Sequence, residues 1–207
     1  MTNLSEEKKF EQLVQRFYPE GKLLRKWDLE GGISAQVKGL EILQSDDRIE
    51  RVIFRQHGDV DLKQNPCIAA DEFKLLEILK SEGLLVPMPY YLDQSCEIHS
   101  TPYIIIEFIN GETEFNPIDL NNYILQLVTN LVKIHNVDCS KVDVTFLPKQ
   151  AEVFADILNK RCINADETLV EDALRDKLKS VLPFLSRNTD VILHGDFWPG
   201  NTMWEKK

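Results

Sequence analysis

The sequence lacks any apolar run long enough to cross a membrane. A transmembrane helix needs about 20 consecutive apolar residues, and no segment of the 207-residue chain approaches that length. The N-terminal segment has no apolar stretch followed by a cleavage site, so it does not indicate a signal peptide. Its spacing predicts an amphipathic helix instead, with one apolar stripe formed by Phe10, Leu13, Val14 and Phe17. We therefore expect no membrane partner and a cytoplasmic location.

Cysteine is scarce, and its spacing excludes the common zinc motifs. The four cysteines lie far apart and form no Cys-x-x-Cys pair: Cys67, Cys96, Cys139 and Cys162. Their count does not exclude disulfide bonds, but reduced thiols in a cytoplasmic protein are the favoured interpretation.

Positive charge is also in short supply. The chain has 24 Lys and Arg against 34 Asp and Glu, a formal net charge of −10. This excess argues against a nucleic-acid partner or an anionic membrane surface. It would suit a cationic small substrate, although most such excess is ordinary solvated surface. The content of 43% hydrophobic and 28% charged residues is typical of a soluble globular protein, built as one domain or as two lobes around a cleft.

The periodicity along the chain changes near Gly111. Before it, apolar and β-branched runs predict five strands and one strong helix, with Gly31-Gly32 as the turn between the first two strands. These elements fall within residues 21–43 (two strands), 48–58 (one strand), 67–83 (the helix) and 90–111 (two strands). After Gly111 the pattern predicts three helices, whose apolar stripes are Ile124, Leu127, Val128, Leu131 and Ile134; Phe154, Ile157 and Leu158; and Val170, Ala173, Leu174, Leu178 and Val181.

The segment 194–201, HGDFWPGN, has the spacing of a phosphoryl-transfer loop. Asp196 could accept the proton of an attacking hydroxyl group, and the side-chain oxygen of Asn201 suits Mg²⁺ as a ligand. The alternative is a turn rich in Asp, Gly, Pro and Asn between two short strands. The apolar segments on both sides, which we interpret as strands, favour the catalytic interpretation.

A carboxylate on the predicted helix requires a cationic partner. Glu72 lies in the middle of an apolar stripe formed by Ile68, Ala69, Leu75, Leu76 and Leu79. An unpaired carboxylate there would be costly, and Arg55 at the end of the third strand is the candidate partner. Lys38 is a possible substitute for Arg55, and a purely structural ion pair is the alternative role.

The string HGDFWPGN is similar to the catalytic loop of the aminoglycoside phosphotransferase and choline kinase-like family, in which Gly stands where protein kinases have Arg. The likeness runs from about Leu23 to Trp204 and includes the segments EGGISAQV, EFKLLEIL, YIIIEFINGE and LVKIHNVD. It implies an α+β, bilobal protein kinase-like fold. In that fold, residues 1–108 form a small β-rich, nucleotide-binding lobe with one helix. Residues 109–207 form a helical lobe that contains the catalytic loop and is incomplete.

The resemblance implies ATP and Mg²⁺ as cofactors, and it assigns roles to further residues. Gly31 and Gly32 let the backbone approach phosphate, and Ser34 adds a hydroxyl donor, although a plain hairpin turn is the alternative. Ile53 lies on the strand face of Arg55 and would line the adenine pocket, unless it is simply a core residue. By the same resemblance, Arg55 and Glu72 hold the nucleotide phosphates. The backbone groups of Glu107 and Ile109 would meet the adenine edge.

Other residues near these motifs receive structural interpretations. His57 and His99 fall in polar segments that we interpret as loops, with no evident partner. His135 ends a helix on its apolar stripe and is interpreted as a structural histidine. Trp198 either borders the substrate pocket or packs in the interior.

The implied activity is ATP- and Mg²⁺-dependent transfer of the γ-phosphoryl group to a hydroxyl of a small molecule. The main alternative is a nucleotide-binding or scaffold protein that has lost catalysis, and a protein kinase is disfavoured because Gly195 replaces Arg. The resemblance also implies a second metal-binding Asp beyond Asn201, in an IDWE-like segment. Only TMWEKK follows here, so we expect a C-terminally truncated chain with impaired activity.

Overall fold

The computed structural model describes residues 5–29, 35–159, 171–181 and 189–205. The chain forms two compact units, one comprising Met1–Val137 with Ile192–Lys207 and the other Asp138–Val191. The predicted lobe boundary between residues 108 and 109 stays a prediction.

The first unit is built on a five-stranded antiparallel sheet in the order β1-β2-β3-β5-β4. Its strands are β1 (Lys22–Asp28), β2 (Ala35–Leu43), β3 (Ile49–His57), β4 (Pro89–Asp93) and β5 (Tyr103–Glu107). All five were predicted from apolar and β-branched runs bounded by turn residues, and the α+β fold class is confirmed.

One face of the sheet is covered by helix α1 (Glu6–Phe17). The side chain of Ser5 caps its N-terminus by accepting a hydrogen bond from the Lys8 amide, and Glu6 and Glu7 favour the positive end of the helix dipole. The helix buries three apolar side chains against the sheet: Phe10, Leu13 and Val14. Their transfer from water contributes roughly 5–9 kcal/mol before conformational entropy is subtracted. The predicted apolar stripe is confirmed.

The other face packs against helix α3 (Ile68–Ser81). A cluster of Ile53, Ala69, Ile104 and Ile106 fills this interface. The helix ends at Ser81 with Glu82 as its C-cap, and Gly83 follows with φ of +77°, a conformation that residues other than glycine adopt only with strain. A short helix, α2 (Asp59–Gln64), precedes α3 and was not predicted, because six polar-rich residues show no helical periodicity.

The segment after β5 returns to pair with the end of the chain. Strand β6 (Gly111–Glu112) is antiparallel to β7 (Trp204–Glu205), and helix α4 (Leu120–His135) follows with Asp119 as its N-cap. The predicted α4 stripe is only partly buried, since Ile124 and Val128 are about half exposed. The strand expected before the catalytic loop is absent, because residues 191–194 pair with no strand in the described part of the chain.

In the residues of the second unit that the structure describes, there are two helices, α5 (Gln150–Asn159) and α6 (Glu171–Val181). The Arg175 guanidinium donates to the Ile157 carbonyl at 2.5 Å. Both helices were predicted from apolar periodicity, and Val170 of the predicted third stripe lies outside the described residues. Across the described residues, every helix is too short or too polar to cross a membrane.

Candidate functional site

Arg55 and Glu72 form the predicted ion pair between β3 and α3. The Arg55 Nε atom lies 2.9 Å from Oε1 and 3.0 Å from Oε2 of Glu72, so one nitrogen faces both carboxylate oxygens. The side chains are half-buried, with 29% of Arg55 and 25% of Glu72 exposed. Neither terminal nitrogen of the guanidinium makes a hydrogen bond to a residue that the structure describes. The prediction that these residues lie together is confirmed.

His57 completes this group, contrary to its interpretation as a loop residue without a partner. It is the last residue of β3, its side chain is 5% exposed, and Nε2 lies 2.6 Å from Oε2 of Glu72. The signal was in the sequence: alternation along a strand places His57 on the same face as Ile53 and Arg55. The strand simply extends further than the polar residues 56–58 indicated.

The charge state of Glu72 is set by these neighbours. Burial alone would raise the pKa of the Glu72 carboxyl, but the hydrogen bonds and charges of His57 and Arg55 outweigh it and hold the pKa below its usual value. Glu72 is therefore ionised near neutral pH and acts as a hydrogen-bond acceptor only.

Lys38 does not share the sheet face of Arg55. It is cross-strand partner to Phe54 and is buried on the α1 side, with Nζ 2.5 Å from Asp28 and 3.4 Å from Glu6. Its neighbour Val37 is the residue opposite Arg55. Because successive strand residues point to opposite faces, Lys38 is excluded as a substitute for Arg55.

Ile53 and the segment after β5 lie beside each other in the sheet. Ile53 is cross-strand partner to Ile106 and is 9% exposed, packed in the cluster under α3. Glu107, which follows Ile106 on β5, donates its amide N–H to the Met88 carbonyl at 2.8 Å. The Ile109 carbonyl accepts from the Gly111 amide at 3.1 Å. The Glu107 amide and the Ile109 carbonyl are therefore already engaged in hydrogen bonds within the protein.

Asp196 and Asn201 are joined directly. The Asn201 side-chain nitrogen donates to the Asp196 carbonyl at 2.9 Å and to its carboxylate at 2.8 Å. Both partners are acceptors, so the amide must present its nitrogen to them and turn its oxygen elsewhere. A one-turn 3-10 helix, Pro199–Asn201, brings Asn201 back to Asp196. The exposed loop thus presents one carboxylate and one amide oxygen.

Two glycines and two aromatic rings shape this loop. Gly195 has φ of +78°, which disfavours the Arg of protein kinases at this position. Gly200 makes room for the ring of Trp198, because a Cβ atom there would lie 2.4 Å from the indole. Trp198 is 49% exposed and contacts the ring of Phe115, which is 56% exposed, at 5.8 Å between centroids.

The remaining site predictions meet the structure only in part. Gly31, Gly32 and Ser34 lie outside the described residues. No group of three or more His, Cys, Asp or Glu side chains suited to a metal occurs within the described ranges. Mg²⁺ commonly takes one or two protein oxygens and completes its shell with phosphate and water. The Asn201 side-chain oxygen, which the amide turns away from Asp196, fits that donor set.

Two cavities of about 340 and 310 Å³ lie elsewhere. Residues of the α3 and α4 C-terminal ends line the first, and residues 18–21 with 44–45 line the second. Neither includes Arg55, Glu72, Asp196 or Asn201, so neither is assigned to the predicted site.

Solved structures share the fold at low sequence identity. The GDP and kanamycin complex of APH(2'')-IIIa has a TM-score of 0.64 at 16% identity, with 94% of this chain and 66% of that chain covered. Spectinomycin phosphotransferase APH(9)-Ia, in complex with ADP and spectinomycin, gives 0.57 at 16% identity, covering 97% and 65%. A proposed aminoglycoside phosphotransferase from Ralstonia eutropha JMP134 gives 0.62 at 16% identity, covering 97% and 60%. The chain thus spans 60% to 66% of these structures' lengths.

The sequence comparisons identify a family but no individual curated relative. No curated protein matches the chain. The sequence profile described as the phosphotransferase enzyme family matches residues 39–207, which include β3, α3 and the segment HGDFWPGN. Because that match covers most of the chain, the protein belongs to the phosphotransferase enzyme family.

Proposed function

We propose that this protein binds ATP with Mg²⁺ and transfers the γ-phosphoryl group to a hydroxyl of a small molecule. The observation on which the proposal depends is the Asp196–Asn201 pair. The Asp196 carboxylate is exposed and fixed by the Asn201 amide at 2.8 Å, as a base for an incoming hydroxyl must be. Asp196 would orient the hydroxyl and accept its proton while the phosphoryl group departs from ADP.

Arg55 would hold the nucleotide phosphates. Its Nε atom is fixed on Glu72, and a guanidinium held in this way can present its two terminal nitrogens to two phosphate oxygens. The backbone of Gly31 and Gly32 with the Ser34 hydroxyl would add donors to the phosphates. Ile53 would form part of the adenine pocket, and the Glu107 carbonyl and Ile109 amide would meet the base edge.

Mg²⁺ would be held by the Asn201 oxygen and the nucleotide phosphates, and would supply neutralisation of the phosphate charge. The two nucleotide complexes named above contain GDP and ADP, so the choice between adenine and guanine is part of the test. A cytoplasmic location and the lobe boundary at residue 108 complete the proposal.

The acceptor is proposed to be a cationic small alcohol. The net charge of −10 attracts cations. Trp198, two residues after the proposed base, and Phe115 present exposed rings that contact each other, and aromatic faces bind ammonium groups. Kanamycin and spectinomycin, which are bound in two of the solved structures, are therefore suitable first probes, with choline as a smaller one.

The test has two stages, both with the 207-residue chain. Calorimetry with ATP, ADP, GTP and GDP in Mg²⁺ should show binding of at least one nucleotide, and no heat or thermal shift at millimolar concentration would overturn the proposal. Nucleoside diphosphate release is then measured with each acceptor, for the wild type and for Asp196→Asn. The variant should bind nucleotide normally and lose turnover. Binding without turnover for every acceptor would favour the nucleotide-binding or scaffold protein.

A further inference from the structure

His57 occupies a buried position that a hydrocarbon side chain would fill at lower cost. It closes β3 two residues after Arg55, and both side chains point toward α3. The second ring nitrogen, Nδ1, is buried and has no hydrogen-bond partner in the described residues; Asp61 is 3.8 Å away, beyond hydrogen-bond reach. An orphaned polar atom costs about 1–3 kcal/mol. Packing alone therefore does not account for the imidazole.

The bond to Glu72 does account for it. Since Glu72 is an ionised acceptor, the proton between the two groups resides on His57 Nε2, which donates to Oε2 at 2.6 Å. Oε2 thus receives a short hydrogen bond from His57 in addition to the one from Arg55 Nε. The carboxylate is held between two strand residues, and its rotation is restricted from both sides.

This restriction matters for Arg55, because arginine usually meets a carboxylate as a fork of two parallel hydrogen bonds. A fork would occupy Nε and one terminal nitrogen, or both terminal nitrogens. Here only Nε faces Glu72, at 2.9 and 3.0 Å from the two oxygens. The terminal nitrogens have no hydrogen bond within residues 5–29, 35–159, 171–181 and 189–205.

We propose that His57 is a positioning residue for phosphate binding. By holding Oε2 of Glu72, it confines Arg55 to a contact through Nε and keeps both terminal nitrogens free for phosphate oxygens. The role of the phosphate rests on the proposed function, whereas the control of Arg55 by His57 does not. A lysine would meet the carboxylate and the phosphates through one ammonium nitrogen, whereas the guanidinium of Arg55 has separate nitrogens for the two.

The first experiment requires no nucleotide. Nitrogen-15 NMR of the arginine side chains is recorded for the wild type, His57→Leu and His57→Gln, with the Arg55 signals assigned from Arg55→Lys. In the wild type, rotation of the guanidinium should average the two terminal nitrogen signals of Arg55. Without His57, Glu72 should rotate into a fork with Arg55, and these signals should become separate. The glutamine amide can donate to Glu72 and should restore the wild-type spectrum. Unchanged Arg55 signals in His57→Leu would overturn the proposal.

The second experiment compares ADP with adenosine by calorimetry. His57→Leu should weaken ADP binding about tenfold and leave adenosine binding unchanged, since only ADP has phosphates for Arg55. His57→Gln should stay close to the wild type. His99→Leu, at a buried histidine on the opposite sheet face, is the matched control and should leave the ratio of the two affinities unchanged.

A purely structural role would weaken both ligands together or neither, and either result would overturn the proposal. In a Glu72→Gln background, His57→Leu should have no further effect on ADP binding; an independent tenfold loss there would also contradict it. If the wild type binds neither ligand, the proposed function fails, and the NMR comparison alone decides the role of His57.

Discussion

The Arg55 Nε atom and the Glu72 carboxylate are 2.9 Å apart across the interface of β3 and α3. The contact follows from two periodicities in the sequence: strand alternation points Arg55 at the helix, and helical spacing points Glu72 at the sheet. Since both side chains are half-buried, each would leave a poorly solvated charge if the other were removed.

Arg55→Ala should weaken ADP binding roughly 10- to 100-fold, because it removes charge-assisted hydrogen bonds to phosphate worth about 1.5–3 kcal/mol. Calorimetry measures the change. Arg51→Ala is the matched control: Arg51 lies on the same strand, is half exposed and pairs with Glu41 at 2.9 Å. An equal loss of affinity in both variants would show that general positive charge, and not the position of Arg55, governs binding.

Much of the fold could be predicted because its elements have regular periodicity. The stripe of Phe10, Leu13 and Val14 identified α1, and Glu72 within an apolar stripe demanded a cation. The partner was correctly sought on the preceding strand. By contrast, α2 was missed, because residues 59–64 are too few and too polar to show a stripe.

The site was predicted less completely than the fold, for physical reasons. His57 was misread because residues 56–58 look like a polar loop, and only pairing with Ala35 on β2 extends the strand that far. The sheet face on which the Lys38 side chain lies depended on the strand register, which a single sequence does not determine. The Asn201 hydrogen bonds to Asp196 need a 3-10 turn whose geometry the string PGN only suggests.

Asn201→Leu should leave the Asp196 carboxylate without the hydrogen bonds that fix its position in the catalytic loop. It removes both hydrogen bonds to Asp196 and the oxygen proposed for Mg²⁺, so turnover should fall about 100-fold or more. The Mg²⁺ dependence of ADP affinity should weaken in parallel. Asn130→Leu, which removes only an exposed side-chain bond to the Gln126 carbonyl, is the control. Unaltered turnover in Asn201→Leu would exclude a role in the reaction.

Gly111→Ala should break the pairing of β6 with β7. A Cβ atom at Gly111 would lie 2.6 Å from the Trp204 carbonyl oxygen, a backbone atom that cannot move alone. We expect a loss of about 1–3 kcal/mol in the free energy of unfolding and a shift in the fluorescence of Trp204, which stacks on Tyr123 at 4.6 Å.

Gly195→Ala provides the comparison for Gly111→Ala. No atom lies within 4 Å of its added Cβ, so only the strain of a φ of +78° remains. That strain costs about 1–2 kcal/mol and should leave the strand pairing intact. If Gly111→Ala preserves the wild-type emission of Trp204, the close approach of the two strands does not depend on glycine.

His99 should make the stability depend on pH between about 4 and 6.5. It is buried among the rings of Phe10, Phe54 and Tyr103, and its Nε2 atom has no hydrogen-bond partner in the described chain. Burial, assisted by the charge of Lys9 and opposed by Asp93 and Glu6, lowers the pKa of His99 to about 4.

Because the pKa of His99 is lower in the folded state, the unfolded chain binds the proton first as the pH falls. The free energy of unfolding therefore keeps its full value, as far as His99 is concerned, above the unfolded pKa of about 6.5. It decreases as the pH falls toward and through the folded pKa, by at most about 3 kcal/mol. Urea unfolding at a series of pH values, for the wild type and His99→Phe, isolates this effect from the carboxylates that both proteins share. Between about pH 7 and pH 4, the free energy of unfolding of His99→Phe should rise relative to that of the wild type by up to about 3 kcal/mol. A constant difference over this range would mean that the imidazole is protonated within the folded protein at little cost.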